Sequence, residues 1–223
     1  MKIKKYLAPA LLFVIFLIYT SVIKLADVQA IGPLGSSVGL ASVNGFFAHI
    51  FSYNDLFYKL TKIIALFSFM YIGGFALLGL IQLIKNKSLK KVDPAIYGMG
   101  ATYIITILFY ILFEVVVINY RPILEDGELE ASFPSSHTML AVAVFGSAIV
   151  YAVYRIKNSA LKSTLVIASA VFACIMALGR MISGVHWFTD ILGGVILGCA
   201  ITSLYLAFVQ SLPDSALPDK KQK

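Results

Sequence analysis

Residues 189–210 read TDILGGVILGCAITSLYLAFVQ, a stretch whose one charged side chain is Asp190, near its start. As an α-helix it would be about 33 Å long, enough to cross the ~30 Å hydrocarbon core of a bilayer. Five further stretches of the same kind precede it, near residues 6–23, 60–84, 97–119, 137–154 and 164–182. Backbone polar groups in lipid must be satisfied within the spanning segment, and the alternating polarity that a barrel needs is absent. The expected fold class is therefore all-α: a polytopic membrane protein built as a six-transmembrane-helix bundle.

Composition agrees with this reading. Of 223 residues, 60% are hydrophobic and 13% charged, with a mean hydropathy of +0.90. A soluble domain runs nearer half apolar and about a quarter charged. An excess of this size cannot all be hidden inside 24.3 kDa, so much of the surface must face lipid.

The net charge of +7 invites a nucleic-acid reading, which the positions of the charges exclude. The lysines sit in short clusters between apolar runs, without a basic stripe or interleaved aromatics. Thirteen of the 18 basic residues fall in the N-terminus, the gaps near 85–91 and 155–162, and the C-terminus. Positive residues are retained in the cytoplasm, so both termini are expected there and the loops near 120–136 and 183–188 outside.

Residues 1–30 admit two readings. Met1–Lys5 resembles the basic start of a signal peptide, and Val28-Gln29-Ala30 is an acceptable cleavage site. The long apolar stretch and the intervening Lys24 and Asp27 favour a retained helix. Residues 31–58 form an outer connection that opens on a turn-rich stretch, Gly32–Ser37. Its second half is rich in Phe and Tyr and suits an interfacial helical segment, with His49 as a surface residue. Cys174 and Cys199 lie in apolar runs without metal-ligand spacing and are expected to be buried packing residues.

Polar residues are scarce, and three groups of them fall on the outer side. They are Asn119-Tyr120-Arg121-Pro122, Pro134-Ser135-Ser136-His137, and Arg180 followed by His186 and Asp190. Ionisable residues at membrane depth are costly and usually functional. The bland alternative is that the arginines reach headgroups and the histidines cap helices. Against it, His186 and Asp190 are four residues apart and share a face if the last helix starts near His186. A carboxylate there can hold one imidazole nitrogen and leave the other free to attack. Arginine's planar fork matches phosphate oxygens, and the helix start at Ser135 offers amides to an anion. The combination describes an oxyanion clamp with a histidine nucleophile and a second histidine for acid catalysis, which is phosphoryl transfer.

These residues resemble the type 2 phosphatidic acid phosphatase family, which is related to vanadium haloperoxidases. The family pattern is K-x6-R-P, then P-S-G-H, then S-R-x5-H-x3-D. The chain presents Arg121-Pro122, Pro134-Ser135-Ser136-His137 and Arg180-x5-His186-x3-Asp190 in the same order. The resemblance, over roughly residues 50–210, implies that His186 is the nucleophile and forms a phosphohistidine, that Asp190 orients it, and that His137 protonates the leaving group. It implies that Arg121, Arg180, Ser135 and the amide of Ser136 bind the phosphoryl oxygens, and that no metal or cofactor is needed. Residues 59–210 then form the catalytic membrane domain and 211–223 a cytoplasmic tail. The acidic residues of the loop, Glu125, Asp126, Glu128 and Glu130, lack a calcium-binding repeat and are expected to be solvated.

Three positions depart from the pattern. Glu114 stands where the family has its first lysine, Ser136 replaces glycine and Gly179 replaces serine. Lys91, the nearest lysine upstream, is expected at the opposite membrane face. Glu114 lies two turns before Arg121 on the third span. There it would pair with Arg121 or Arg180, bind a hydroxyl of an unusual headgroup, or mark reduced turnover.

The resemblance implies a phosphatase of a bacterial plasma membrane acting at its outer leaflet. Its partners are the bilayer and a membrane lipid phosphate: undecaprenyl diphosphate, phosphatidic acid or phosphatidylglycerol phosphate. A lipid phosphotransferase using the same site and a non-catalytic lipid-phosphate binder remain as alternatives. A membrane cytochrome ligating haem through His137 and His186 would leave Arg180 and Asp190 without a role.

Overall fold

Three helix starts are written plainly in the sequence. The side chains of Asn54, Asp93 and Asn158 accept hydrogen bonds from the backbone amides of Phe57, Ala95 and Leu161. Each satisfies an amide that the first turn would otherwise leave unpaired. In the computed structural model, which describes residues 3–213, these starts open three of seven helices. In chain order the helices are α1 (Leu7–Leu25), α2 (Ala41–Ile50), α3 (Asp55–Asn86), α4 (Pro94–Val115), α5 (Ser136–Arg155), α6 (Ser159–Ile182) and α7 (Phe188–Ser211). All but α2 are long and apolar enough to cross a membrane. The protein is an all-α, multi-pass membrane protein. Lys2, the three C-terminal lysines and most of the expected tail lie outside the described residues.

α5 and α7 are the central pair. Buried positions fill 61% and 50% of their apolar windows, against 17–22% in the other spans. Small residues let the two helices meet. A Cβ on Gly198 would lie 2.6 Å from Val142, and one on Gly146 would lie 2.6 Å from Thr202. With no hydrophobic drive between helices in lipid, such close approach supplies the packing energy. α1 covers α7 on one side through a cluster of Phe16, Phe133, Met139 and Leu197. α3, α4 and α6 close the other side around Met99, Phe145, Met176 and Tyr205. At the end away from His186, the Asp93 carboxylate that caps α4 also pairs with Arg155 at the end of α5, at 2.6 Å.

Three helix ends differ from the sequence reading by four or five residues. α3 and α6 start at their asparagine caps, at Asp55 and Ser159, five residues before the expected limits. α4 stops at Val115, four residues before the expected limit. Val115 opens a run of four β-branched residues ending at Ile118, which favours extended backbone over helix. α7 starts at Phe188, so His186 lies on the preceding turn. There Gly184 adopts φ +65, and a Cβ on it would clash with the backbone of Ser52 and Tyr53 at 2.7 Å. Cys174 is exposed on the outside of the bundle and Cys199 half-buried, so only the second approaches the expected packing role.

α2 lies against the start of α7 and fixes it. Asn44, fully buried, donates to the carbonyl of Gly39 and to the hydroxyl of Thr189, and accepts the Thr189 amide at 3.1 Å. It therefore caps the first turn of α7 from another helix. Phe47 stacks on Phe188 with ring centres 4.1 Å apart. His49 is exposed on the last turn of α2.

Candidate active site

The central helices bring their first turns together. The Ser135 amide donates to the Asp190 carbonyl at 2.9 Å. Gly194 makes room for this contact, since a Cβ there would lie 2.7 Å from the Ser135 carbonyl. The fully buried Asp190 accepts the Trp187 amide at 2.9 Å and the hydroxyl of Ser132, both on Oδ2. Ser132 Oγ is in turn 3.1 Å from Nδ1 of His186. The carboxylate itself is 3.7 Å from that nitrogen. The orienting contact expected between His186 and Asp190 thus runs mainly through a serine. With Ser132 donating to Asp190, it accepts the proton on Nδ1, and Nε2 is left with a lone pair and no hydrogen-bond partner.

Arg121 and Arg180 are 9% and 1% exposed. Burial, together with the nearby Arg121, Arg180 and His137, pushes the His186 imidazole well below its ordinary 6.5. It is therefore neutral at physiological pH, as a nitrogen nucleophile must be. His137 sits in the first turn of α5, and among the described residues its Nδ1 and the Nε and Nη1 of Arg180 have no hydrogen-bond partner. Ser135 is fully buried, its hydroxyl 3.0 Å from that of Thr138.

A cavity of about 810 Å³ runs from Arg121, Ser136 and His137 down between α3 and α4, past Ala65, Phe69, Tyr103 and Ile107. Phe69 and Ile107 are exposed, so the cavity opens sideways. A smaller recess lined by Ser132, Ser136 and His186 adjoins it, and the two share Tyr110, Glu114 and Ala131.

The acidic loop departs from the sequence reading. It folds as a short hairpin, with paired hydrogen bonds between Glu125 and Glu128 and with the Arg121 amide donating to the Glu130 carbonyl at 3.0 Å. Asp126 (φ 52) and Gly127 (φ 85) form its tip. An Asp-Gly pair in left-handed backbone is the signature of a tight hairpin turn, and it stood in the sequence unread. The fold lays Glu125 and Glu130 back on Arg121, at 2.7 and 3.3 Å. These glutamates are ion-paired at the site and not simply solvated. Burial alone would raise the Glu125 carboxyl; the Tyr58 hydroxyl that donates to it, Arg121 and Lys62 outweigh burial and hold it below the usual carboxylate range. Glu130 is pushed up by burial, with Glu125 and Glu114 adding to the rise.

The expected pairing of Glu114 with Arg121 or Arg180 does not form among the described residues; Arg121 is taken by the hairpin. α4 ends one residue after Glu114, so Glu114 and Arg121 are not on one helix face. Glu114 is exposed and lines both cavities.

Ser132, Asn44, Tyr58 and Trp187 are site residues that sequence reasoning missed. Trp187 Nε1 donates to the Tyr120 carbonyl at 2.6 Å and ties the hairpin base to α7. None of the four announces its distant partner locally: Ser132 reaches Asp190, Asn44 Thr189, Tyr58 Glu125 and Trp187 Tyr120. Among the described residues, no three His, Cys, Asp or Glu side chains are grouped to hold a metal ion.

Six helices long and apolar enough to span a membrane, with a buried histidine and two buried arginines gathered at one end, define a multi-pass membrane protein with a polar site at one end of its bundle. The chain belongs to the PAP2 superfamily, whose sequence profile matches residues 96–213, just over half of its length. Phosphatidylglycerophosphatase B of Bacillus subtilis (strain 168) is 31% identical to it over 98 residues. That match spans 42% of this chain and 46% of the relative, less than half of each. A crystal structure described as the first transmembrane PAP2 type phosphatidylglycerolphosphate phosphatase from Bacillus subtilis has the same fold. It superposes with a TM-score of 0.61 at 21% identity, covering 92% of this chain and 97% of that one.

Proposed function

We propose that the protein is a lipid phosphatase that removes phosphate through a phosphohistidine on His186. The observation that carries this reading is the joining of two cavities. One is lined by His186, whose Nε2 is unpartnered; the other has Arg121 and His137 at one end and apolar walls reaching into the membrane. That is the shape of a ligand with a phosphate head and a hydrocarbon tail.

In the first half-reaction Nε2 attacks phosphorus. The N–P bond forms as the P–O bond to the lipid breaks, and His137 gives its proton to the departing oxygen. The imidazole becomes cationic, and the chain from Nδ1–H through Ser132 to Asp190 stabilises that charge. Arg121, Arg180 and the amides opening α5 at Ser136 hold the phosphoryl oxygens. Ser135 holds the two helix starts in register through its amide. In the second half-reaction water attacks phosphorus, its proton passes to His137, the P–O bond forms and the N–P bond breaks. Phosphate leaves and both histidines return to their starting states.

The lysine-poor connections lie at the His186 end, which supports a site outside the cytoplasm with both termini inside. A bacterial plasma membrane is the setting the relatives suggest. Their names put phosphatidylglycerol phosphate first among the substrates, ahead of phosphatidic acid and undecaprenyl diphosphate. The test is phosphate release by purified, detergent-solubilised protein in EDTA against those three lipids. Release that His186→Ala abolishes is expected; release that survives His186→Ala would overturn the mechanism.

A further inference from the structure

The charge balance at the cavity mouth is short of cations. Arg121 and Arg180 stand among three carboxylates, since Glu114 and Glu130 line the cavity and Glu125 is 2.7 Å from Arg121. A phosphate monoester carries up to two negative charges, so two guanidiniums offset by three carboxylates would repel it. A further cation is needed.

α3 supplies one. Lys62 lies one turn outward of Ala65 and two turns from Phe69, on the face of α3 that lines the cavity. Its ammonium rests over the Tyr58 ring, 4.1 Å from the centre. The same ring has the Arg180 guanidinium 5.3 Å from its centre, and its hydroxyl donates to Glu125. Tyr58 is thus a platform with Lys62, Arg180 and the Arg121–Glu125 pair around one ring. The four-carbon stem of lysine lets the ammonium swing off the ring by a few ångströms.

Close packing at Gly179 brings α3 there. Thr61, 1% exposed, lies so near that a Cβ on Gly179 would be 2.7 Å from its methyl group. The Thr61 hydroxyl is already held by the Tyr58 carbonyl at 2.8 Å, which fixes its rotamer. Glycine at 179 therefore seats Thr61, and with it Tyr58 and Lys62, against the end of α6 that carries Arg180. Two departures from the family pattern become one arrangement: the cation absent at 114 is supplied from α3, and the missing side chain at 179 lets α3 approach.

We propose that Lys62, presented on Tyr58, is the third cation of the phosphate site and leaves the ring to bind the phosphoryl group when it displaces Glu125. This rests on the lipid-phosphatase reading, and two measurements separate the fates of the two proposals. The first is direct binding of inorganic phosphate to the intact purified protein by calorimetry. The second is KM and kcat for lipid phosphate release. Both compare Lys62→Gln, Lys62→Arg and wild type, with Lys59→Gln as control, because Lys59 pairs with Asp55 at 2.6 Å on an exposed stretch of α3.

Lys62→Gln is expected to weaken phosphate binding and raise KM about tenfold, with kcat changed less. Lys62→Arg should recover most of the loss, and Lys59→Gln should match wild type. Lys62 is exposed, so the variants should fold, and unchanged melting temperatures would verify this. Phosphate binding within twofold of wild type in Lys62→Gln overturns the proposal, and so does wild-type protein that binds no phosphate. Weakened binding in a protein that hydrolyses no lipid upholds the role of Lys62 and sinks the phosphatase reading instead.

Discussion

Ser132→Ala isolates the link between His186 and Asp190. The substitution removes an oxygen 3.1 Å from Nδ1 of His186 that also donates to Asp190. Asp190 keeps the Trp187 amide, and Nδ1 is left facing a carboxylate 3.7 Å away. In the proposed mechanism the imidazole carries positive charge only as the N–P bond forms, so the lost contact would weigh on the transition state more than on the resting protein. A hydrogen bond to a charged partner contributes about 1.5–3 kcal/mol. Expressed wholly in the barrier, that lowers kcat/KM by about 10- to 150-fold. The assay is phosphate release by Ser132→Ala, Asp190→Asn and the double variant. If the two residues act in series, the double variant loses no more than the worse single one. Loss of less than twofold in Ser132→Ala, or strictly multiplicative losses in the double variant, would refute the serine link.

Three further outcomes follow from the same structure. Glu125→Gln removes the carboxylate that competes for Arg121 and should lower KM by about three- to tenfold; a raised KM would mean that the pair positions the arginine for substrate. Unfolded His186 takes up a proton as pH falls through about 6.5 while the folded form resists, so its contribution to stability is present above that pH and lost below it. The loss should approach about 1.4 kcal/mol per pH unit, and the gap in melting temperature between wild type and His186→Asn should change between pH 7.5 and 5, whereas parallel curves would contradict the assignment. Asp93→Ala deletes a helix cap and the Arg155 pair at the far end of the bundle and should cost about 2 kcal/mol or more with kcat unchanged, as thermal unfolding and turnover would show.

How much of this was legible differs sharply between fold and site. The six spans could be read because each is a continuous local signal. Their limits moved by four or five residues only where β-branched residues follow Val115 and where Asn54 and Asn158 cap α3 and α6 ahead of the apolar run. Arg121, His137, Arg180, His186 and Asp190 could be picked out because polar residues in an apolar chain are few. Their supports could not. Ser132 binds a residue 58 positions away and Asn44 one 145 positions away, and an isolated serine or asparagine announces no such partner. The hairpin is a different case: Asp126-Gly127 was a readable turn, but nothing local said that the fold would return Glu125 to Arg121.

The sideways opening between α3 and α4 also fixes how the protein meets its substrate. A ligand entering past Phe69 and Ile107 arrives from the plane of the bilayer, so encounter depends on its mole fraction in that plane and not on its amount per volume of buffer. Diluting the lipid with inert detergent at constant bulk concentration should slow turnover. A short water-soluble phosphate ester, with no tail to lie in the groove, should be a poor substrate at any concentration.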